Sequence, residues 1–224
     1  TIKCLKDAVT LHIVIEITPA CQKSTLINLD DLSQFKELED PERVLGKEKW
    51  AQFEPYFKGA ASVKFAIHAN KRSFSLTSLG KSMRLGKYLK SLKAEVIHFD
   101  TLTSRVIGLY PYVRRMRSFI TVHDPLPHSG EWSWKEKLPN WLYLGWAKGF
   151  FFYSDFALKQ FRDHFTSVKA PKLLIRFQPV TFLDYFSSKT KPVPQTILSF
   201  GRLSVYKGID LLVEAIPTVL AKYP

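Results

Sequence analysis

Cysteine is nearly absent: 224 residues hold two, Cys4 and Cys21. Neither sits in a metal-ligand spacing and the pair implies no disulfide framework, so the composition suits a reducing cytoplasm. Long apolar runs are lacking too. The longest clusters, such as 150–153, fall far short of the roughly 20 residues that span a bilayer, and the opening residues carry no secretory-signal pattern. The first residue is Thr1 rather than Met, which leaves room for a segment upstream. Acid is scarce relative to base: 20 Asp and Glu stand against 33 Lys and Arg, a formal net charge of +13. From Lys71 to Arg117 there are eleven basic residues and two acidic ones, Glu95 and Asp100. Such a field favours an anionic partner (nucleotide, nucleic acid or acidic lipid) without choosing among them. A basic nucleic-acid-binding α/β domain would have that charge. Zinc-finger spacing, an RNP-like aromatic motif and a helix-turn-helix are all missing, however.

What is present is ample material for a core, with 46% hydrophobic and 14% aromatic residues. Short apolar runs alternate with stretches of helical spacing. Residues 9–17, 63–69, 96–99, 119–122, 149–153, 173–177 and 196–200 read as strands, nearly continuous in hydrophobicity, as strands buried on both faces should be. Residues 78–92, 104–112, 136–148, 154–165 and 209–223 read as helices. This alternation predicts an α/β fold: a Rossmann-like, mainly parallel sheet over 9–177 with helices on both faces. The helix at 154–165 has a defined start, with Ser154 to cap free amides and Asp155 in the first turn. Ala157, Leu158, Phe161 and Phe165 form its apolar face. Residues 30–52 are acidic, lack strand patterning, and read as an irregular or partly helical insertion.

Residues 187–195 (SSKTKPVPQ) are polar with two prolines, the composition of a connector. The chain therefore divides into a domain over 1–186, a linker over 187–195, and the opening of a second domain over 196–224. One strand and one helix cannot bury their own apolar faces.

The most informative stretch is 197–215, ILSFGRLSVYKGIDLLVEA. A buried strand ends at Gly201, where a small residue lets a ligand approach the backbone. Arg202 and Lys207 bring cations to the C-terminal edge of the sheet, where open α/β sheets bind ligands. Two cations beside free helix amides suit a diphosphate; two solvated charges flanking a turn are the plainer alternative.

The pattern F-G-R-L-S-x-Y-K-G-I-D-x-L-[LIV]-E-A resembles the signature that opens the donor domain of family 4 glycosyltransferases. Residues 95–100 (EVIHFD) resemble that family's D-V-V-H-x-H strand, with Glu95 in place of aspartate. Residues 119–130 (FITVHDPLPHSG) resemble the strand and loop of its HD element. The resemblance implies a GT-B fold, two Rossmann-like domains, with an acceptor-side domain over 1–186 and a donor-binding domain beginning at 196. It implies sugar transfer from a nucleotide-sugar donor, a substrate rather than a cofactor, to an acceptor hydroxyl, with retention and without metal. Arg202 and Lys207 would bind the donor diphosphate, and His123 would lie at the transfer site. Asp124 and His128, on the same loop, are acceptor-side candidates. Polysaccharide or glycolipid synthesis is the family's usual work, with a saccharide or lipid-linked acceptor.

His123 follows an apolar strand directly, so it either serves a cleft at the sheet edge or ties down its loop through hydrogen bonds. His12, His68 and His98 sit in or beside apolar strands and are expected to be satisfied core residues. Four tryptophans, Trp132, Trp134, Trp141 and Trp146, cluster within fifteen residues. Indoles stack on sugars or anchor at membrane interfaces, yet Trp134, Leu138 and Trp141 share a helical face and core packing is the commoner use. The helix at 78–93 interleaves Lys81, Arg84, Lys87, Lys90 and Lys93 with Leu79, Met83, Leu85, Leu89 and Leu92. It reads as a helix covering its own sheet, or as one resting on an anionic membrane at the cytoplasmic face. The glycine-rich loop that follows the family's first strand has no counterpart, and the family's E-x7-E element would lie past Pro224. Pro217, inside the last helix, should kink it. Full activity is thus expected of the whole enzyme rather than of this piece; a non-catalytic partner subunit is the alternative.

Overall fold

The apolar runs between residues 9 and 177 become strands close to their expected positions. A computed structural model of the chain describes residues 5, 7–19, 28–29, 31–70, 72, 75–101, 104–126, 144–175, 194, 196–197 and 207–223. In chain order these supply β1 (His12–Ile17), β2 (Leu38–Glu39), α1 (Pro41–Leu45), α2 (Lys47–Phe57), β3 (Ser62–Ile67) and α3 (Leu76–Ser91). Then follow β4 (Val96–Phe99), a 3-10 segment (Ser104–Leu109), α4 (Tyr110–Val113), β5 (Arg117–Thr121), β6 (Gly149–Phe152), α5 (Asp155–His164), β7 (Lys172–Leu174) and α6 (Ile209–Lys222). The architecture is α/β, with a parallel four-stranded sheet flanked by helices, consistent with a Rossmann-like fold.

Hydrogen bonding divides the strands into two sheets, ordered β1-β3-β2 and β4-β5-β6-β7. A single sheet over 9–177 is therefore not what forms among the described residues. Apolar runs identify strands but carry no information about which strand pairs with which. In the first sheet β1 and β3 run parallel from His12↔Ser62 to Ile17↔Ile67, and the His12 Nδ1 and Ser62 Oγ atoms, 2.8 Å apart, help fix that register. Its core gathers Ile17, Leu29, Leu32, Val44, Phe65 and Ile67. The acidic segment at 30–52 is more ordered than its pattern suggested. Asp31 caps a 3-10 turn by accepting from the Ser33 amide, and Pro41 opens α1. β2 is a two-residue antiparallel strand on β3, too short to leave a period-2 signature.

In the second sheet β4, β5 and β6 are parallel neighbours. The Phe150 amide donates to the Pro171 carbonyl at 2.9 Å, and the Ile175 amide to the Phe152 carbonyl at 2.8 Å. α5 forms as its sequence dictates: Ser154 Oγ accepts from the Ala157 amide, Asp155 sits in the first turn, and Ala157, Leu158 and Phe161 are buried. The expected helix at 104–112 is instead a 3-10 segment passing into a single α-turn. α3 begins at Ser75, whose hydroxyl accepts from the Ser78 amide, but its buried stripe is Ser78, Ser82, Leu85 and Gly86. Of the large apolar residues expected on that stripe, Leu79 and Met83 are exposed. The reason is close approach: the 3-10 segment and α4 lie directly on this face, and only small side chains leave room for Gly108 and Tyr112.

The described residues form two compact units, one from 5–121, 144–151 and 167–173, the other from 122–126, 152–166, 174–175 and 194–223. In the second, α6 runs through Pro217 and buries none of its side chains; Leu211 is 66% and Leu220 58% exposed. The connector expected at 187–195 lies, apart from Pro194, outside the described residues, as does most of the strand expected at 196–200 and the helix at 136–148. No described helix is long and apolar enough to cross a membrane.

Candidate functional site

β5 ends at Thr121, and the chain turns out through Val122 to His123. The apolar run stops there because the next residues, His123 and Asp124, are polar and stand exposed at the start of a loop, whereas Pro125 is buried. The His123 imidazole lies 5.4 Å from the Tyr153 ring, tilted by 54°. Tyr153 leads from β6 into the Ser154 cap of α5, so a defined strand-to-helix turn holds the aromatic partner. An exposed imidazole against an aromatic ring can exchange hydrogen bonds with hydroxyl groups of a ligand.

Lys207 is exposed and stands immediately before Gly208, which adopts φ 62° and ψ 28° and leads into α6. Among the described residues no side chain caps the N-terminus of α6, whose N-cap is Gly208. First-turn amides left uncapped beside a cation suit an anion. Gly201, Arg202 and His128 lie outside the described residues. Among the described residues, no group of three or more His, Cys, Asp or Glu side chains could hold a metal ion.

His98 departs from expectation. It is partly exposed rather than in the core, with Nε2 2.8 Å from Thr121 Oγ1 and its ring edge-on to Phe151 at 5.5 Å. Val96 and His98 alternate with the half-buried Ile97 and Phe99, so they share the less covered face of β4, a strand with a neighbour on only one side among the described residues. Desolvation lowers the His98 pKa, and the nearby Asp100 carboxylate partly opposes that shift.

A polar cluster that the sequence reading did not single out lies at the C-terminal ends of β1 and β3. His68 is 3% exposed and follows β3 directly, its amide donating to the Ile17 carbonyl at 2.8 Å. Its Nε2 is 3.4 Å from Glu16 Oε1. Arg105, 8% exposed, comes from the 3-10 segment; burial lowers its pKa and the Glu16 carboxylate raises it in part. One signal was available: Glu16 interrupts the otherwise apolar run HIVIEI. Trp146, by contrast, packs as expected. It is buried, donates from Nε1 to the Val113 carbonyl at 3.3 Å, and meets Phe99 and Tyr110 edge-on.

Comparison with protein-family models, with characterised proteins and with solved structures returned no significant match to the chain.

Proposed function

We propose that the chain belongs to a glycosyltransferase that moves a sugar from a nucleotide-sugar donor to an acceptor hydroxyl, with retention and without a metal, in polysaccharide or glycolipid synthesis. The observation that carries this reading is the sequence from Ile197 to Ala215, in which Gly201, Arg202 and Lys207 precede a helix that starts at Ile209, after its N-cap Gly208. In transfer, the bond between the anomeric carbon and the donor phosphate oxygen breaks, and a bond to the acceptor oxygen forms as that hydroxyl passes its proton to the departing phosphate oxygen. Charge builds on the departing diphosphate, where fixed cations and helix amides stabilise the transition state most. Arg202 and Lys207 take that role. His123, exposed at the end of β5 and set against Tyr153, orients the sugar and acceptor hydroxyls.

The test is turnover of the whole protein with saturating nucleotide-sugar, alongside thermal unfolding. His123→Ala should cost turnover at least about tenfold, where each 1.36 kcal/mol of barrier is a factor of ten. Donor affinity should fall much less and the melting temperature little. A variant that loses stability and keeps full turnover per folded molecule returns His123 to a structural role.

A further inference from the structure

Arg114, Arg115 and Lys148 line an open depression of about 430 Å3, together with Tyr110, Gly145 and Trp146. All six residues belong to one unit. The depression lies where α4 runs into β5 and where the chain enters β6, at the N-terminal ends of both strands. The three cationic side chains are exposed, and among the described residues no carboxylate lines the cavity and none of the three has an ion-pair partner. Its wall is fixed: Trp146 is 7% exposed and tied by its ring N–H to the Val113 carbonyl.

Three like charges around one concavity repel each other, and apolar walls concentrate their field. Among the described residues no counter-charge reaches these exposed side chains, so nothing there offsets the repulsion. An anion would. Guanidinium groups present paired N–H donors matched to phosphate oxygens, and an ammonium adds a compact charge. We propose that this depression binds a phosphate group, carried by a soluble phosphorylated molecule or by a phospholipid headgroup. None of these residues takes part in the transfer chemistry above, and the proposal does not depend on it.

The experiment compares thermal unfolding of the 224-residue chain in inorganic pyrophosphate with unfolding in sodium chloride of equal ionic strength. Pyrophosphate at ten times its dissociation constant should raise Tm by about 3–6 °C beyond chloride. The triple variant Arg114→Gln, Arg115→Gln, Lys148→Gln should melt in chloride at the same temperature or higher, because repulsion is relieved, and should lose the pyrophosphate shift. Should the triple change disturb folding, Arg115→Gln alone should at least halve that shift. Flotation with phosphatidylcholine vesicles, with and without phosphatidic acid, separates the sources. Capture by the acidic vesicles that the variant loses assigns the headgroup, whereas a shift without capture assigns a soluble phosphate. A shift that the triple variant retains belongs elsewhere and overturns the proposal. So does a shift that chloride reproduces, or the absence of both shift and capture in the wild-type chain.

Discussion

Glu16 is the residue that the strand around it least explains. Its neighbours in β1 are apolar, and its carboxylate meets His68 at 3.4 Å and the field of the buried Arg105. A buried guanidinium is costly unless a counter-charge stays close. Glu16→Leu should therefore destabilise the fold by roughly 1–3 kcal/mol, the cost of leaving a buried polar group uncompensated. Urea unfolding measures it, and a variant as stable as the parent would show that Arg105 draws its compensation elsewhere. His98 gives a pH-dependent prediction. Its folded-state pKa lies below the ordinary value of 6.5, so the unfolded chain binds the proton more readily. The His98 contribution is complete above that ordinary value and is lost as pH falls through 6.5 toward the lower folded pKa. His98→Gln should flatten this part of the profile, leaving less loss of urea midpoint between pH 7 and pH 5 than in the parent. An unchanged slope would mean that other groups set it.

At the scale of elements, α3 turns on two glycines in one helix. A Cβ on Gly86 would collide with Cγ and Cδ2 of the Tyr112 ring and press on its Cβ, the rigid base of that side chain rather than a movable tip; at Gly80 nothing lies within 4 Å. Alanine improves helix propensity by about 0.8–1 kcal/mol at either place. Gly80→Ala should thus stabilise the protein by up to that amount, while Gly86→Ala should destabilise it by about 1–3 kcal/mol through overpacking. Thermal melts of the two variants side by side decide this, and equal shifts would mean that α3 does not pack closely on Tyr112. α5 could be read in full from its sequence, because Ser154, Asp155 and the spacing of Ala157, Leu158 and Phe161 all encode the same helix locally. The buried face of α3 could not be, because Ser78, Ser82 and Gly86 are buried by what packs on them rather than by their own hydrophobicity. The exposure of His98 was not legible for a similar reason: it depends on which face of β4 is left uncovered, a property of the packing around the strand. The placement of His123 just past β5 was legible, since a polar residue ending an apolar strand marks the turn. The Glu16–His68–Arg105 cluster was not, since β1, β3 and the 3-10 segment meet only in three dimensions.

For the molecule as a whole, the excess of base over acid is the kind that favours anionic ligands, and the two sites proposed for them are built in different ways. The depression at Arg114, Arg115 and Lys148 gathers cations from chain segments that the sheet brings together. The proposed donor site is written locally, in Gly201, Arg202 and Lys207 ahead of α6. The most direct test of the glycosyltransferase reading is calorimetric titration of the whole protein with a nucleoside diphosphate, repeated with Arg202→Ala and with Lys207→Ala. Each charged hydrogen bond is worth about 1–3 kcal/mol, so each variant should bind between about 5-fold and 150-fold more weakly, with its melting temperature little changed. Affinity that stays the same in both variants contradicts the account.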